Sequence, residues 1–282
     1  MTVLDLDIVV TRGRHVESRH AVHAAVIDAT GRTIAAAGNG DTIAHWRSCA
    51  KPFQVHPFLV DGTWTTLGWD DRRLALACAS HGGEPEHVAL AESMLASVGL
   101  DAGALACGPH LPLAERGAAV LATEGRAPTR LHNNCSGKHA AMLAACTVHG
   151  WPTIGYDEPS HPLQRRIRAS LPAFTAVAAE DIAIATDGCG VPVFVLPLRA
   201  MATAWAGSTA SPSAIGSSAS RSRSPTAPRA HSIPPCSGCC NGSTHCRPRS
   251  RPRSPRSSSR PCATRAMRSW ARSDRPRETR RA

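Results

Sequence analysis

The residues best suited to chemistry begin with a serine and a lysine three positions apart. The segment Arg47–Pro52, with the sequence RSCAKP, holds Ser48 and Lys51 in an S-x-x-K pattern. If Ser48 opens a helix, residues three apart share one face, so the lysine amine lies near the hydroxyl. A desolvated lysine has a lowered pKa, and its neutral amine can then take the serine proton at neutral pH. The pattern is also common at surface helix starts, where it has no catalytic role.

A second candidate segment, His132–His139, has the sequence HNNCSGKH and precedes an apolar helical pattern. A helix N-terminus lowers the pKa of a thiol, so Cys135 is a candidate nucleophile or metal ligand. The segment resembles a phosphate-binding loop only superficially, because His132 stands where that loop needs its first glycine. The alternative is a plain helix start that is capped by Asn133 or Ser136.

Two glycine-containing turns complete the candidate motifs. Asp187–Pro192 (DGCGVP) places glycines on both sides of Cys189, which lets the backbone approach another group closely. Ala79–Glu84 (ASHGGE) places Ser80 before two glycines whose backbone N–H groups are suited to stabilise an oxyanion. Each of these segments also fits a simple turn or helix end without a catalytic role.

The elements that must position these motifs are predicted to be strands first and helices afterwards. Apolar runs bounded by turn residues predict five strands: Leu4–Val10, His20–Asp28, Thr33–Ala37, Ile182–Ala185 and Val191–Leu196. The polar stretch Thr11–Arg19 is predicted to join the first two as a hairpin. Apolar residues at intervals of three and four predict the helices: Lys51–Val60, Asp71–Ser80, Pro85–Val98, Lys138–Val148 and His161–Leu171. We therefore expect an α+β fold.

Charge is divided unevenly along the chain. Its 282 residues carry 32 Lys and Arg against 21 Asp and Glu, a formal charge of +11. Residues 1–206 hold 16 basic and 19 acidic residues, whereas residues 207–282 hold 16 basic and only 2 acidic ones. Every basic residue of the second part is arginine, and the only two lysines are Lys51 and Lys138. The positive charge therefore belongs to the C-terminal part and not to the part that carries the motifs.

The composition changes abruptly near Ala206. Beyond it the chain is rich in Ser, Arg and Pro, and its few large apolar residues are too few to offset the entropic cost of ordering the backbone. We predict a catalytic region over residues 1–206 and a disordered tail over residues 207–282. A GC-rich gene translated in the wrong frame gives the same composition, so we predict a frameshift close to Ala206 with loss of the true C-terminal part.

Sequence features also bear on the cellular location. No apolar stretch approaches the ~20 residues that are needed to cross a bilayer. The N-terminus carries acidic residues where a secretion signal carries basic ones. We therefore expect a cytoplasmic protein without a membrane partner. The six cysteines of residues 1–206 are then expected to be thiols or metal ligands rather than disulfides.

Four motifs in this order and spacing resemble a single family: RSCAKPFQ, ASHGGEPEH, NNCSGKHAAML and DGCGVPVF. Together they are similar to the L-asparaginase II family of the Rhizobium etli type, and the resemblance covers about residues 1–206. It implies a fold similar to serine β-lactamases and glutaminases, in which helices pack on an antiparallel sheet. It also implies hydrolysis of L-asparagine to L-aspartate and ammonia.

The resemblance implies roles for the serines and for the first lysine. Ser48 would be the acyl-forming nucleophile and Lys51 its base. Ser80 would belong to a second Ser–Lys pair that relays protons or stabilises the intermediate. In the family the lysine of that pair comes from a C-terminal segment with a Lys-Gly-Ala-Glu-Gly-like motif, but this chain has no lysine after Lys138. We therefore expect a fold that is incomplete at its C-terminus and a chain that is poorly folded or inactive.

The resemblance also implies a metal and two substrate contacts. A zinc ion with a structural or substrate-orienting role would be bound by Cys135, Lys138 and Cys189. An amine is an unusual ligand, but a bound zinc keeps it neutral. Arg47 would bind the substrate carboxylate bidentately. Asp187 would orient the metal-bound water or the substrate amine.

Two alternative functions are left open by these residues. The same Ser–Lys chemistry fits a glutaminase or a β-lactamase-like serine amidase. From a different class, the Arg-rich tail fits a basic protein that binds nucleic acid. Its aromatic side chains are too few for base stacking, so we expect a small-molecule substrate and no nucleic-acid partner. A homodimer is compatible with the sequence.

Overall fold

The structure is a computed structural model, and it describes residues 1–210 of the chain. The strands in this range are short: β1 (Thr2–Val3), β2 (Ile8–Arg12), β3 (His15–His20), β4 (Ala24–Ile27), β5 (Thr33–Ala37), β6 (Ile43–His45), β7 (Ala183–Thr186) and β8 (Pro192–Pro197). The helices are α1 (Lys51–Val60), α2 (Thr63–Leu67), α3 (Asp71–Cys78), α4 (Pro85–Ala96), α5 (Glu115–Thr123), α6 (Ser136–His149), α7 (Pro162–Ser170), α8 (Pro172–Thr175) and α9 (Leu198–Ala210). The predicted α+β class is confirmed. Nearly all of the predicted tail, residues 211–282, lies outside the described range.

The strands predicted over Leu4–Val10 and His20–Asp28 are wrong in their bounds, because the polar stretch assigned to their connection is itself β-structure. β2 and β3 pair antiparallel with Ile8 opposite His20, and Gly13, at a φ of 60°, lies in the turn between them. Nearly every residue of this ribbon is exposed. A ribbon with two solvated faces needs no alternation of apolar and polar residues, so its polar half carries no strand signal.

The remaining strands form two three-stranded sheets. In the first, β5 pairs in parallel with β1 and antiparallel with β4. β5 has the predicted bounds Thr33–Ala37, whereas β4 is only the second half of the predicted second strand. In the other sheet, β8 lies between β6 and β7, and both pairings are antiparallel. β7 and β8 each lie one residue later than predicted. The described strands thus form three small sheets, rather than the single antiparallel sheet that the resemblance implies.

The predicted helices are present with small differences at their ends. α1 has the predicted bounds Lys51–Val60, and α4 begins at the predicted Pro85. Four further helices, α2, α5, α8 and α9, lie where the spacing predicted none. α9 runs past the predicted boundary at Ala206, to Ala210. Among the described residues, none of the helices has the length and apolar character to cross a membrane.

α6 is the central helix of the core. Its residues are buried without interruption over positions 136–146, because small side chains allow neighbouring elements to approach on every side. At Gly137 an added Cβ would lie 2.6 Å from the carbonyl oxygen of Leu76 in α3. This close approach brings the C-terminal end of α3, followed by Ser80, next to the N-terminal end of α6, which holds Lys138.

Candidate active site

A buried lysine amine joins three of the sequence motifs. Lys51, at the start of α1, is fully buried. Its Nζ donates hydrogen bonds to two carbonyl oxygens, Ala79 at 2.6 Å and Asn134 at 3.2 Å. It also lies 2.9 Å from the hydroxyl oxygen of Ser80. The amine therefore links the start of α1 to the segment after α3 and to the segment before α6.

Ser48 is placed differently from the sequence expectation. A 3₁₀ turn over Arg47–Ala50 precedes α1, and in it the carbonyl of Ser48 accepts the backbone N–H of Lys51. The Ser48 residue is exposed, whereas the lysine stem runs into the interior. None of the hydrogen bonds within residues 1–210 joins the Ser48 hydroxyl to the Lys51 amine. The structure brings Lys51 to Ser80 rather than to Ser48.

Arg47 has a left-handed backbone conformation beside this turn. Its φ of 52° costs a residue with a side chain on the order of 1 kcal/mol. The preceding residue is well anchored, because the N–H of Trp46 donates to the carbonyl of Phe194 at 2.9 Å. The Trp46 ring also packs on Phe53 with 4.7 Å between centroids. This packing holds the strained residue in place, and Arg47 itself is exposed at the surface next to Ser48.

The environment of Lys51 favours the neutral amine. Burial lowers the pKa of Lys51, because the ammonium form loses its hydration. Negative charge on Cys135 raises the pKa of Lys51, whereas positive charge on Lys138 lowers it further. A lysine with a lowered pKa beside a hydroxyl is the arrangement that serine–lysine acyl transfer requires.

The three predicted zinc ligands form a second buried cluster next to this lysine. Lys138 Nζ donates to Cys189 Sγ at 3.3 Å and lies 3.9 Å from Asp187 Oδ2. The sulfur of Cys189 also lies 3.6 Å from the same carboxylate oxygen. A tight turn between β7 and β8 presents both residues, and Gly190 makes this turn possible with a φ of 98°.

The two thiols of the cluster have opposite pKa shifts. A hydrogen bond from Cys189 lowers the pKa of Cys135 to about 6, with help from the charges of Lys138 and Lys51. The same hydrogen bond raises the pKa of Cys189 to about 12. The lowered pKa favours the thiolate form of Cys135 at the N-terminal end of α6, where the sequence predicted an activated thiol.

The donor chemistry of this cluster fits zinc. Within residues 1–210, no three His, Cys, Asp or Glu side chains are grouped as metal ligands, and the cluster offers two thiols and an amine instead. A neighbouring nitrogen, Nε2 of His139, is buried beside Cys189. Thiolate sulfur and imidazole nitrogen are ligand types that zinc prefers.

His81 fixes the segment that carries Ser80. Its Nδ1 accepts the backbone N–H of Gly83 at 3.1 Å, so the other ring nitrogen carries the proton. That nitrogen lies 2.9 Å from the hydroxyl oxygen of Ser136, which in turn donates to the carbonyl of Leu131. The backbone N–H of His81 also donates to the carbonyl of Asn134. His81 thus ties the segment after α3 to the start of α6.

His81 makes the stability of the protein dependent on pH. Burial lowers its pKa from 6.5 to about 4, and the charged forms of four neighbouring basic side chains add to the effect: His87, Lys51, His110 and His132. The unfolded chain takes up a proton as the pH falls through 6.5, whereas the folded chain takes it up only near pH 4. Stability is therefore lost between these two pH values as the pH falls, by about 3 kcal/mol.

We expect His81→Gln to flatten this pH dependence. The measurement is the free energy of unfolding in urea between pH 7 and pH 4, for wild type and variant. His15→Gln, at an exposed position of β3, serves as a matched control and should keep the wild-type profile. Equal pH profiles for wild type and His81→Gln would show that the buried imidazole does not control this loss.

An open cleft lies in front of Ser80. It has a volume of about 540 Å³ and is lined by residues that include Arg72, Ser80, His81, Glu86 and His87. This volume is in the usual range for small-molecule sites. Ser80 is exposed in the wall of this cleft and is therefore accessible to a ligand.

Sequence reasoning did not find the roles of Asn134 and His81. Both stand inside motifs that the sequence analysis considered, but a backbone carbonyl leaves no signal in residue type, so the contact of Asn134 is invisible there. A histidine that follows a serine does not by itself indicate a buried contact, so His81 leaves no signal either. The buried hydrogen bond between the Tyr156 hydroxyl and Nδ1 of His139, at 2.6 Å, was also not predicted. The only sequence feature that points to it is that the chain contains a single tyrosine.

Comparison with known proteins supports the assignment of a family. A search among curated proteins found no match. The family model described as L-asparaginase II matches residues 8–232, which is most of the chain and includes all four motifs. The cluster of Lys51, Ser80, Cys135, Lys138 and Cys189 is built from those motifs. The chain belongs to the L-asparaginase II family.

Proposed function

We propose that this chain hydrolyses the side-chain amide of L-asparagine, giving L-aspartate and ammonia by serine–lysine acyl transfer. The observation that carries the proposal is the buried amine of Lys51, 2.9 Å from a serine hydroxyl, in a chain of the L-asparaginase II family. Lys51 is the base in this proposal. Ser48, which the resemblance favours, and Ser80, which the amine contacts, are the two candidate nucleophiles.

The reaction consists of two acyl transfers. The serine oxygen attacks the amide carbon while the Lys51 amine takes the hydroxyl proton, and the bond to nitrogen then breaks as that proton passes to the leaving ammonia. The product of this half is an aspartyl ester on the serine. Water attacks the ester with the same amine as base, and the proton returns to the serine oxygen as L-aspartate leaves.

The substrate contacts in this proposal follow the sequence assignment. Arg47 is exposed beside Ser48, and its guanidinium is suited to bind a carboxylate through two parallel hydrogen bonds. The carboxylate of Asp187, next to Lys138 and Cys189, is suited to hold the substrate amine. We also propose that the fold of the chain is related to that of serine β-lactamases and glutaminases.

Zinc is the proposed metal, with Cys135, Lys138 and Cys189 as the ligands. When bound, it supplies positive charge that orients a polar group of the substrate or rigidifies the cluster. The support from the structure is the convergence of these three side chains around the 3.3 Å contact between Lys138 and Cys189.

We expect one zinc per chain in the wild-type protein and a loss of zinc in Cys135→Ser, because the variant lacks the thiol with the lowest pKa in the cluster. Elemental analysis after dialysis measures the zinc content. Cys49→Ser is the matched control, since Cys49 is an exposed thiol outside the cluster. Wild-type zinc content in Cys135→Ser would overturn the ligand assignment.

The proposed activity is tested with a panel of substrates. Ammonia release is measured with the full chain on L-asparagine and on L-glutamine, and ring opening is measured on a chromogenic β-lactam. We expect the largest kcat/KM for L-asparagine. A larger value for L-glutamine or for the β-lactam would replace the proposal with the corresponding alternative. Absence of ammonia release would bear out the sequence-based prediction of an inactive chain.

A further inference from the structure

A groove apart from the candidate active site lies between α1, α7 and α8. This α1–α7 groove has a volume of about 490 Å³, in the usual range for small-molecule sites. Its lining includes Val60 of α1, Arg165, Arg166 and Ala169 of α7, and Phe174 of α8. None of the candidate catalytic or zinc-binding residues, which all belong to the described part of the chain, takes part in that lining. The groove is therefore open to a ligand that the proposed reaction does not use.

The walls of the α1–α7 groove are apolar and partly exposed. Val60 is 61% exposed, although the two residues before it in α1 are buried. Ala169 is also exposed, and its short side chain leaves this part of the groove unfilled. The ring of Phe174 is held by its edge contact with Phe53 in the core, with 5.1 Å between centroids. An apolar ligand that covers these side chains removes apolar surface from water, which stabilises the complex.

The rim of the α1–α7 groove carries two exposed arginines, and their positive charge is only partly balanced. Arg166 Nε lies 3.4 Å from Asp61 Oδ2, but the same oxygen is also 2.9 Å from His149 Nε2. Arg165 makes no ion pair with any of residues 1–207. Among the described residues, no aspartate or glutamate lines the groove. The rim therefore attracts an anion.

We infer that the α1–α7 groove binds a small carboxylate with an apolar body, of the chemical type of a medium-chain fatty acid. The apolar chain packs on Val60, Ala169 and Phe174. The carboxylate accepts two parallel hydrogen bonds from the guanidinium of Arg165, a geometry that suits arginine. Arg166 adds positive charge beside them. This binding is a property of the chain beyond the proposed hydrolysis, and neither requires the other.

Charge and polarity favour this ligand over two other occupants of the groove. Residues 207–282 hold 16 basic and only 2 acidic residues, so the arginine rim repels the C-terminal part of the chain itself. L-Asparagine has a carboxylate, but its polar side chain would lose hydration against the apolar walls without a hydrogen-bond partner there. A carboxylate with an apolar body satisfies both the rim and the walls.

The experiment measures the binding of octanoate to the full chain by equilibrium dialysis, at neutral pH and physiological salt. Acetate keeps the carboxylate and lacks the chain, whereas 1-octanol keeps the chain and lacks the carboxylate. L-Asparagine in excess is added as a competitor in a separate series. Thermal unfolding of each protein checks that it is folded.

Two variants alter the groove at exposed positions, where substitution leaves the core intact. Arg165→Gln removes the charge, and Ala169→Leu fills the space; Arg72→Gln in α3 and Ala122→Leu in α5 are the matched controls, at exposed positions outside the groove. We expect one octanoate per wild-type chain, a Kd that rises about tenfold or more in both groove variants, and a Kd within about twofold of wild type in both controls. Acetate and 1-octanol should each bind about tenfold more weakly than octanoate, and L-asparagine should not compete.

Several results would overturn the inference. Equal Kd values for octanoate in wild type and Arg165→Gln, or equal affinities for octanoate and 1-octanol, would show that the rim does not recognise the carboxylate. Weaker binding in Arg72→Gln instead would place the ligand in the cleft in front of Ser80. Binding to phosphatidylglycerol vesicles without binding of free octanoate would assign the groove to a lipid surface. None of these outcomes depends on ammonia release, so the proposed function is tested separately.

Discussion

Lys51→Met is expected to lower kcat/KM for ammonia release from L-asparagine by about 10³-fold or more. Both candidate serines depend on this one amine, because the other lysine of the chain, Lys138, belongs to the thiol cluster. Methionine has a similar length and is apolar, so it fills the buried channel that the lysine stem occupies. The variant therefore removes the base and keeps the packing.

The stability of Lys51→Met separates a catalytic role from a structural one. The variant loses the hydrogen bond to the carbonyl of Ala79, but it also avoids burying an ionisable group. Because these effects oppose each other, we expect the free energy of unfolding to change by less than about 2 kcal/mol. An active Lys51→Met variant would contradict the assignment of the base. A variant that loses activity only through unfolding would show that the lysine is structural.

Gly137→Ala is expected to destabilise the protein by about 2–3 kcal/mol, a large share of the total for a domain of this size. The added Cβ would lie 2.6 Å from the carbonyl oxygen of Leu76 and 2.9 Å from its carbonyl carbon. These are backbone atoms of a neighbouring helix, so they cannot move away as a flexible side chain can. α3 and α6 must separate, and Ser80 then moves relative to Lys51 and Asn134.

Gly108→Ala is the matched control for this substitution. An added Cβ at Gly108 has no atom within 4 Å, and its backbone is not in the left-handed region. We expect its free energy of unfolding, measured in urea, to stay within about 0.5 kcal/mol of wild type. Equal stability of Gly137→Ala and Gly108→Ala would contradict the close contact between the two helices.

Helices were the most predictable part of this fold. α1 and α4 have apolar residues at helical spacing, and Pro85 fits the first turn of α4, where its missing N–H is not needed. The ribbon of β2 and β3 was predicted poorly, because its exposed polar residues are compatible with a loop. The pairing of strands into three separate sheets depends on contacts between distant segments, which local patterns do not encode.

The residues of the candidate site could be predicted from the sequence, but the contacts between them could not. The four motifs contain every side chain of the two buried clusters, and spacing placed Cys135 correctly at the start of α6. Spacing also suggested that Ser48 and Lys51 meet, which assumes a regular α-helix from Ser48 onward. The chain forms a 3₁₀ turn there, and Lys51 instead contacts groups 28, 29 and 83 residues away. Contacts of that range follow from the packing of α3 and α6.

The most direct test of the account uses L-asparagine labelled with ¹⁵N in its side-chain amide. The full chain is incubated with this substrate, and labelled ammonium and L-aspartate are quantified over time. The account predicts that both products form in equal amounts, above the level of a blank without protein and above the level of Lys51→Met. No labelled ammonium above the blank, from protein shown to be folded, would contradict it.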